Sequence, residues 1–443
     1  MTENDASLLQ LKAPAALDAE VRPPGSKSLT NRALLLAALA RGTTRLTDLL
    51  IADDTRSMRT CLERLGAAIR EDDPTTLEVE GRGGAFAPPT GDGPLFAGSA
   101  GTVSRFLAAV LAAKPGAAKE AIELDASPQM RLRPMGQLLD ALREQGADIR
   151  CLGAEGYLPI AIGPNSSLRG GEVHFSRPAS SQIVSAMLLA AGLSEKPTRV
   201  ILREGTPARP YVDMTIRVLE HFGGCARWEG DDVLTVEPRT LMARDYAVEP
   251  DASSASYFLA MAAIHGGEVT IRGLGSHSLQ GDASFHQILG RMGADVEQTE
   301  ATTRVRGGSR LRGIDVDLSE MPDMTLTLAV AALFAEGSTA IRGVEVLRHH
   351  ETDRLAAATC ELRKLGATVE EQSDGLRIVP PNAGLKLGVS IDTYDDHRMA
   401  MAFSMIGDVA IRNPGCVAKT YPDYFAELER LGMIATAPDR VDA

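Results

Sequence analysis

Six times along the chain, a helix-like stretch ends at a glycine, usually followed by alanine, and leads into a few strand-like residues. The copies lie at residues 62–69, 142–149, 219–226, 289–296, 362–369 and, in degenerate form, 428–433. Each glycine is expected to end its helix in a left-handed turn. The intervals, roughly 65–80 residues, are too long for a solenoid and suit a unit of two helices and several strands. The pattern predicts an α/β protein with internal pseudo-symmetry, organised as two domains of three units each.

Strongly apolar runs follow polar loops, and the clearest example comes after Pro24-Gly25. The run at residues 33–40 is rich in alanine and leucine and predicts a buried helix. Lys27, Ser28 and Arg32 are then expected on the loop and in the first turn of that helix. Free backbone N–H groups and the helix dipole favour an anion there, and the two cations add fixed charge. The functional interpretation is an anion clamp, and the alternative is a capped helix with two solvated cations.

Other polar or glycine-bearing loops also lead into apolar helices. They lie at residues 96–107, 129–136, 176–182, 249–258, 321–325, 349–354, 392–401 and 416–424. Taken singly, each is explained by a tight turn or an N-cap. If the helix starts converge, however, the cleft between two domains holds several helix dipoles and cations and suits two anionic substrates. The loop at 249–258 lies near the middle of the chain and is interpreted as a domain crossover.

Composition narrows the class of ligand. The net charge of −13 argues against a nucleic-acid surface, so cations focused in a cleft indicate a small anionic ligand. The five cysteines are scattered, which argues against a disulfide framework or zinc site and for a reducing compartment. His349 and His350, beside two carboxylates, match no zinc spacing. No signal-peptide layout or membrane-length apolar run is present, and the cytoplasm is the expected location.

Together these stretches closely resemble the 5-enolpyruvylshikimate-3-phosphate (EPSP) synthase family of enolpyruvyl transferases. The matching residues are 24–28, 31–35, 100–102, 133–134, 180–182, 251–258, 351–354, 394–401 and 418–420. The resemblance implies a two-domain inside-out α/β barrel with pseudo-sixfold symmetry, each domain holding three repeats of a βαβαββ unit. It implies a first domain of residues 1–24 plus 251–443 and a second of 25–250. The crossovers are expected near Pro24 and Pro250, with the active site in the interdomain cleft of a monomer.

The resemblance also implies a reaction and its residues. The enolpyruvyl group of phosphoenolpyruvate moves to the 5-hydroxyl of shikimate 3-phosphate, and a tetrahedral intermediate then loses phosphate. Asp323 is implied as the base, with Lys27 and Glu351 handling the other proton transfers. The implied phosphoenolpyruvate residues are Lys27, Gly101, Arg133, Gln182, Arg354, Arg398 and Lys419. The implied shikimate 3-phosphate residues are Lys27, Ser28, Arg32, Ser180, Ser181, Gln182, Tyr211, Asp323 and His350. No metal or organic cofactor is implied.

Several positions depart from the family pattern. His350, Val346 and Ala208 stand where lysine, asparagine and serine are usual, all on the shikimate 3-phosphate side. His350 is expected to make the affinity for that substrate depend on pH. Phe106 stands where proline is common, behind the phosphoenolpyruvate loop, and predicts reduced sensitivity to the inhibitor glyphosate. Gln129 replaces a frequent arginine, with little effect expected on the chemistry because Arg133 is kept.

Two other functions are compatible with parts of this pattern. The sister enzyme that uses UDP-N-acetylglucosamine as acceptor has the same repeats, but its hallmark is a reactive cysteine on a mobile loop. None of Cys61, Cys151, Cys225, Cys360 and Cys416 matches that loop. A paralogue that binds the substrates without turnover is the second alternative. Retention of Lys27, Asp323 and Glu351 argues against it.

Overall fold

The computed structural model describes residues 7–114, 116 and 118–435. The helices are α1 Lys27–Leu39, α2 Asp53–Arg64, α3 Gly101–Ala113, α4 Pro128–Arg131, α5 Gly136–Glu144, α6 Ser181–Ala191, α7 Arg209–His221, α8 Ala252–His265, α9 Phe285–Met292, α10 Thr325–Ala332, α11 Arg354–Lys364, α12 His397–Ser404 and α13 Tyr424–Arg430. Short 3-10 helices lie at Gly281–Ser284, Pro322–Met324, Glu345–His349 and Pro414–Lys419.

The strands of the first half are β1 Leu8–Gln10, β2 Leu17–Val21, β3 Arg41–Thr47, β4 Ala68–Asp73, β5 Thr76–Arg82, β6 Leu95–Phe96, β7 Ile122–Asp125, β8 Ile149–Cys151, β9 Ile160–Ile162, β10 Gly171–Phe175, β11 Thr198–Leu202, β12 Cys225–Glu229, β13 Val233–Glu237 and β14 Tyr246–Ala247. Those of the second half are β15 Gly267–Arg272, β16 Asp295–Gln298, β17 Thr302–Gly307, β18 Leu311–Arg312, β19 Asp315–Asp317, β20 Ala335–Glu336, β21 Thr339–Arg342, β22 Thr368–Gln372, β23 Gly375–Val379, β24 Ser390–Ile391 and β25 Ala410–Arg412. The prediction of an α/β protein is confirmed.

Most sheets follow one strand order. Five four-stranded sheets each begin with a parallel pair and continue with two antiparallel pairings. They are β6-β7-β9-β8, β14-β3-β5-β4, β10-β11-β13-β12, β2-β15-β17-β16 and β19-β21-β23-β22. A three-stranded sheet, β24-β25-β1, has one parallel and one antiparallel pair, and β18 pairs with β20.

The repeated glycines adopt the left-handed conformation predicted for them. Their φ angles are +88° at Gly66, +109° at Gly146, +84° at Gly223, +112° at Gly293, +94° at Gly366 and +74° at Gly432. In five copies the segment after the glycine is the outer antiparallel strand of a four-stranded sheet, namely β4, β8, β12, β16 or β22. A side chain with a Cβ is strained in this backbone region, so glycine suits the turn between helix and strand.

The described chain forms two compact units, each with its own hydrophobic core. The first contains residues up to Pro23, then Ala252–Ser278 and the chain from Asp282 onward; the second contains Pro24–Asp251 and Leu279–Gly281. Almost every residue is buried in α1, α3 and α6 of the second unit and in α8, α10 and α12 of the first. A helix that is apolar on all sides is stable only inside a core, which explains the alanine- and leucine-rich runs.

Polar loops precede these buried helices. Inside the second unit, the segment before α1 is hydrogen-bonded to the segment before α8. The Ser26 N–H donates to the Glu249 carbonyl and the Asp251 N–H to the Pro24 carbonyl, both at 2.8 Å. The Glu249 carboxylate also accepts from the Leu279 N–H at 2.9 Å.

Among the described residues, no helix is long and apolar enough to cross a membrane.

Candidate active site

Helix α1 of the second unit begins with the predicted anion clamp. Lys27 is its first residue, and its Nζ lies 3.2 Å from Oδ2 of the buried Asp54. Ser28 follows, and its carbonyl accepts from Arg32 Nη1 at 2.9 Å. The prediction that Arg32 lies on the loop or in the first turn was wrong. The helix already begins at Lys27, so Arg32 falls in the second turn, where it is 1% exposed.

Arg32 is a buried cation whose hydrogen-bond partners are all neutral. Its Nε donates to Thr215 Oγ1 at 2.7 Å, and Nη2 donates to the Tyr211 carbonyl at 3.1 Å and Ser185 Oγ at 3.4 Å. Burial lowers the pKa of Arg32 to about 10, although neighbouring tyrosines partly oppose that shift. A guanidinium without a carboxylate partner in its described contacts is well suited to attract an anionic ligand.

Gly101, the first residue of α3, lies where three side chains meet. A Cβ on Gly101 would lie 2.7 Å from Arg105 Nη1, 2.8 Å from Gln182 Oε1 and 3.0 Å from Arg133 Nη1. Arg105 Nη1 also donates to Gln182 Oε1 at 2.9 Å, and its Nη2 donates to the Pro134 carbonyl at 2.9 Å. Three of the predicted phosphoenolpyruvate residues, Gly101, Arg133 and Gln182, are therefore brought together in this unit.

The hydroxyl cluster at the start of α6 is a helix cap. Ser180 is the N-cap residue, and its Oγ accepts from the Gln182 N–H at 3.2 Å. Ser181 is the first helical residue and is buried. The predicted Tyr211 lies in the first turn of α7, where its carbonyl accepts from Arg32 and from Thr215 Oγ1. The α6 and α7 residues belong to the same unit as the α1 clamp, and the Tyr211 carbonyl contacts Arg32 directly.

In the first unit, the guanidinium of Arg354, at the start of α11, binds three carboxylates. Its Nε and Nη2 bind Asp396 at 2.8 and 3.2 Å, its Nη1 donates to Asp323 Oδ1 at 3.0 Å, and its Nη2 donates to Glu351 Oε2 at 2.9 Å. Burial would lower the pKa of Arg354, but these three carboxylates raise it above its ordinary value. Arg354 is thus permanently charged.

Asp323 lies on the 3-10 turn before α10, between two arginines. Arg398 Nη2 donates to Oδ2 at 2.8 Å, whereas Arg354 binds the other carboxylate oxygen, Oδ1. Desolvation works to raise the pKa of the Asp323 carboxyl, but the facing guanidinium groups of Arg398 and Arg354 outweigh it. The pKa therefore lies well below its ordinary value, and Asp323 is ionised.

Glu351, Lys419 and His350 complete this cluster. Lys419 Nζ donates to Glu351 Oε1 at 3.0 Å, so the two oxygens of Glu351 bind different cations. Arg354 Nη1 lies 2.9 Å from His350 Nδ1, which must act as the acceptor because a guanidinium carries only donors. The first unit thus brings together six predicted residues: Asp323, His350, Glu351, Arg354, Arg398 and Lys419.

The unusual residues have clear locations. Phe106 is fully buried in α3, and the Arg32 Cζ lies 5.1 Å from its ring centroid. Ala208 precedes α7 with φ of +49°, a left-handed conformation that alanine rarely adopts. Val346 is buried on the Glu345–His349 turn, and Gln129 lies in α4. Alanine and valine offer no side-chain hydrogen bond to a ligand.

Sequence reasoning missed four residues that support these clusters. Arg105 fixes the Gln182 amide, Thr215 binds Arg32, Asp396 binds Arg354, and Asp54 binds Lys27. Arg105 and Asp396 lie within motifs that the sequence marked, whereas Asp54 and Thr215 carried no local signal. Among the described residues, no group of three or more His, Cys, Asp or Glu side chains could hold a metal ion.

The second unit has cationic residues at the starts of α1 and α3, and the first unit has the cluster around Arg354. Each combines arginine or lysine with helix starts, and such groups bind phosphate and carboxylate. The cluster in the first unit also holds carboxylates that can exchange protons. Comparison with known proteins identifies the family. A family model described as EPSP synthase (3-phosphoshikimate 1-carboxyvinyltransferase) matches residues 11–428.

Individual proteins agree with this match. The 3-phosphoshikimate 1-carboxyvinyltransferases of Photobacterium profundum and Aliivibrio fischeri are each 45% identical to this chain, covering 96% of it and 99% of the relative. A solved EPSP synthase from Acinetobacter baumannii superposes with a TM-score of 0.80 at 27% identity, covering 96% of this chain and 98% of that one. The chain belongs to the EPSP synthase (3-phosphoshikimate 1-carboxyvinyltransferase) family.

Proposed function

We propose that this chain transfers the enolpyruvyl group of phosphoenolpyruvate to the 5-hydroxyl of shikimate 3-phosphate and releases phosphate. The observation that carries the proposal is Asp323, an ionised carboxylate held between Arg354 and Arg398. A base beside two guanidinium groups suits a reaction in which a hydroxyl must be deprotonated next to an anionic partner. The family membership supports the same activity.

The proposed reaction has an addition step and an elimination step. In the addition, Asp323 takes the proton of the 5-hydroxyl, the oxygen bonds to C2 of phosphoenolpyruvate, and the methylene carbon gains a proton. In the elimination, the new methyl group loses a proton while the C2–O bond to phosphate breaks, which restores the double bond. Lys27 and Glu351 handle the proton transfers at carbon and at the leaving phosphate. No metal or organic cofactor enters this scheme.

The charges of the first unit set the strength of the base. Without substrate, Arg354 and Arg398 hold the pKa of Asp323 low and make it a weak base. The carboxylate and phosphate of phosphoenolpyruvate attract the same arginines, because guanidinium groups bind such anions in a bidentate manner, and they also attract the ammonium group of Lys419. As the arginines bind substrate, their electrostatic interaction with Asp323 weakens. The pKa of the Asp323 carboxyl then rises, and the carboxylate becomes a stronger base. Substrate binding thereby activates the base.

The remaining assignments belong to the same proposal. Gly101 and Gln182 line the phosphoenolpyruvate side, while Ser28, Arg32, Ser180, Ser181, Tyr211 and His350 hold shikimate 3-phosphate. The repeated sheets support the βαβαββ repeats and the two-domain inside-out barrel that the family resemblance implied. A cytoplasmic monomer is the proposed state. UDP-N-acetylglucosamine remains the rival acceptor.

A phosphate-release assay tests this function. Phosphoenolpyruvate is supplied with shikimate 3-phosphate or with UDP-N-acetylglucosamine, and release is expected only with the first. Release only with the second would show that the acceptor is wrong, and binding of both substrates without release would favour the paralogue. Asp323→Asn should lower kcat by at least ~100-fold, the contribution typical of a general base. Asp295→Asn, which changes an exposed carboxylate on β16 of the same unit, is the matched control.

A further inference from the structure

We propose that Phe106 is a positioning residue that holds the guanidinium of Arg32 for shikimate 3-phosphate. The inference rests on the proposed function, because it takes Arg32 as part of the shikimate 3-phosphate site. The Arg32 Cζ lies 5.1 Å from the Phe106 ring centroid, and both side chains are buried. This distance is within the range of a cation–π interaction.

The partners of Arg32 explain why the ring matters. Its four hydrogen bonds, to Ser28, Thr215, Ser185 and Tyr211, all go to neutral oxygens. A buried charge requires compensation, and neutral dipoles alone supply only part of it. The negative face of an aromatic ring supplies more without neutralising the cation. Arg32 therefore keeps its full charge for an anionic ligand.

The donor count of the guanidinium leads to the same conclusion. An arginine side chain has five N–H groups in one plane, and four of those on Arg32 are engaged. The remaining N–H is on Nη1. A ring stacked on the face of the guanidinium leaves the N–H edge open, so in that arrangement Phe106 holds the group and the remaining N–H stays available to a substrate oxygen.

Phe106 also connects two helices that carry different parts of the proposed site. Arg32 lies on α1, whereas Phe106 lies on α3, which begins at Gly101. One residue before Arg32, Asn31 Nδ2 donates to Thr102 Oγ1 at 3.0 Å. Two successive residues of α1 thus contact α3, but only the Arg32–Phe106 contact involves a charged group. Loss of the ring should therefore affect shikimate 3-phosphate more than phosphoenolpyruvate.

Two changes at Phe106 test the proposal. Phe106→Leu removes the ring, and site-specific replacement by 3,4,5-trifluorophenylalanine keeps its shape while weakening its negative face. Calorimetric titration with shikimate 3-phosphate should show the Kd rising roughly 5- to 30-fold for leucine and by a smaller factor for the fluorinated ring. The KM for phosphoenolpyruvate should change by less than about threefold. Phe86→Leu, a buried phenylalanine of the same core outside the described contacts of Arg32, should leave the Kd unchanged.

A double-mutant cycle of Phe106→Leu with Arg32→Met separates this proposal from the activity. Unfolding in urea should show that the two substitutions change the free energy of unfolding in a non-additive way. This result does not depend on which substrate the protein uses. Additive changes, or a Kd that stays at the wild-type value in both Phe106 variants, would overturn the proposal. If the wild type releases no phosphate with shikimate 3-phosphate while the cycle still shows coupling, the proposed function fails and the Arg32–Phe106 contact stands.

Discussion

The guanidinium of Arg354 binds both oxygens of Asp396, with Nε 2.8 Å from Oδ2 and Nη2 3.2 Å from Oδ1. The side chains are 2% and 0% exposed, so water competes little for either charge. Asp396 is also the N-cap of α12, where its side chain accepts from the Arg398 N–H. One carboxylate therefore fixes the orientation of Arg354 and the start of the helix that carries Arg398.

Removing this charge should destabilise the first unit strongly. Asp396→Asn removes the bidentate partner of the buried Arg354, and breaking such a pair costs about 3–5 kcal/mol when the remaining charge has no other partner. Because Asp323 and Glu351 still bind Arg354, we expect a loss near the lower end, about 3 kcal/mol. Urea unfolding measures the loss. The control is Asp392→Asn, whose pairs with Lys364 and Arg412 are about half exposed and should contribute less than about 1 kcal/mol. Equal losses in the two variants would contradict the role given to Asp396.

The low pKa of Asp323 predicts how stability depends on pH. A carboxyl whose pKa is lowered by folding stabilises the protein above its unfolded pKa of about 3.9, and this contribution is lost as the pH falls toward the folded pKa. The difference in unfolding free energy between wild type and Asp323→Asn should therefore be constant near neutral pH and shrink below about pH 4. Urea titrations over this range measure it. A difference that grows on acidification would contradict the assigned direction.

Much of this arrangement could be predicted from local sequence. The six glycines determine helix ends through backbone sterics, and the apolar runs mark buried helices, because both effects act within a few residues. The burial of Arg32 could not be predicted. Its partners Ser185 and Thr215 are 153 and 183 positions away in the chain, so only the tertiary fold brings them to it. For the same reason, the ion pairs of Lys27 with Asp54 and of Arg354 with Asp396 could not be predicted from local sequence.

The crowding around Gly101 predicts a specific loss of phosphoenolpyruvate affinity in Gly101→Ala. The new methyl group would lie within 3.0 Å of Arg105, Gln182 and Arg133, so these polar ends must move. We expect the KM for phosphoenolpyruvate to rise about tenfold or more, since such shifts in position are costly to substrate binding. Gly153→Ala is the control, because its Cβ would meet only Pro159 at 3.8 Å. An unchanged KM in Gly101→Ala would exclude this loop from the site.

Phe106 predicts reduced sensitivity to glyphosate. Its ring is buried in α3 about one turn after Gly101 and Thr102, and a bulky residue there is expected to change how the first turn of α3 packs. The inhibition constant measured against phosphoenolpyruvate should exceed that of relatives with proline at this position. Phe106→Pro should lower it, at a stability cost of about 3 kcal/mol from the lost helical hydrogen bond. A wild-type constant as low as in the proline-bearing relatives would refute the prediction.

His350 predicts that the affinity for shikimate 3-phosphate depends on pH. Its Nδ1 accepts an N–H from Arg354 at 2.9 Å, and this contact needs an unprotonated nitrogen. Protonation replaces the contact by repulsion from Arg354, although Asp323, 3.8 Å away, attracts the charged ring. The other charged groups of this cluster are Glu351 and Asp396, which bind Arg354, Arg398, which binds Asp323, and Lys419, which binds Glu351.

Because the proposed function gives Arg354 and Asp323 roles in the site, protonation of His350 is expected to alter the site itself. The KM for shikimate 3-phosphate should therefore change between about pH 6 and 8, the range in which imidazole titrates. His350→Lys should flatten this profile, because lysine stays charged throughout the range, while His277→Lys, on an exposed surface of the same unit, should leave it as in the wild type. A flat wild-type profile would show that protonation of His350 does not affect the affinity for shikimate 3-phosphate.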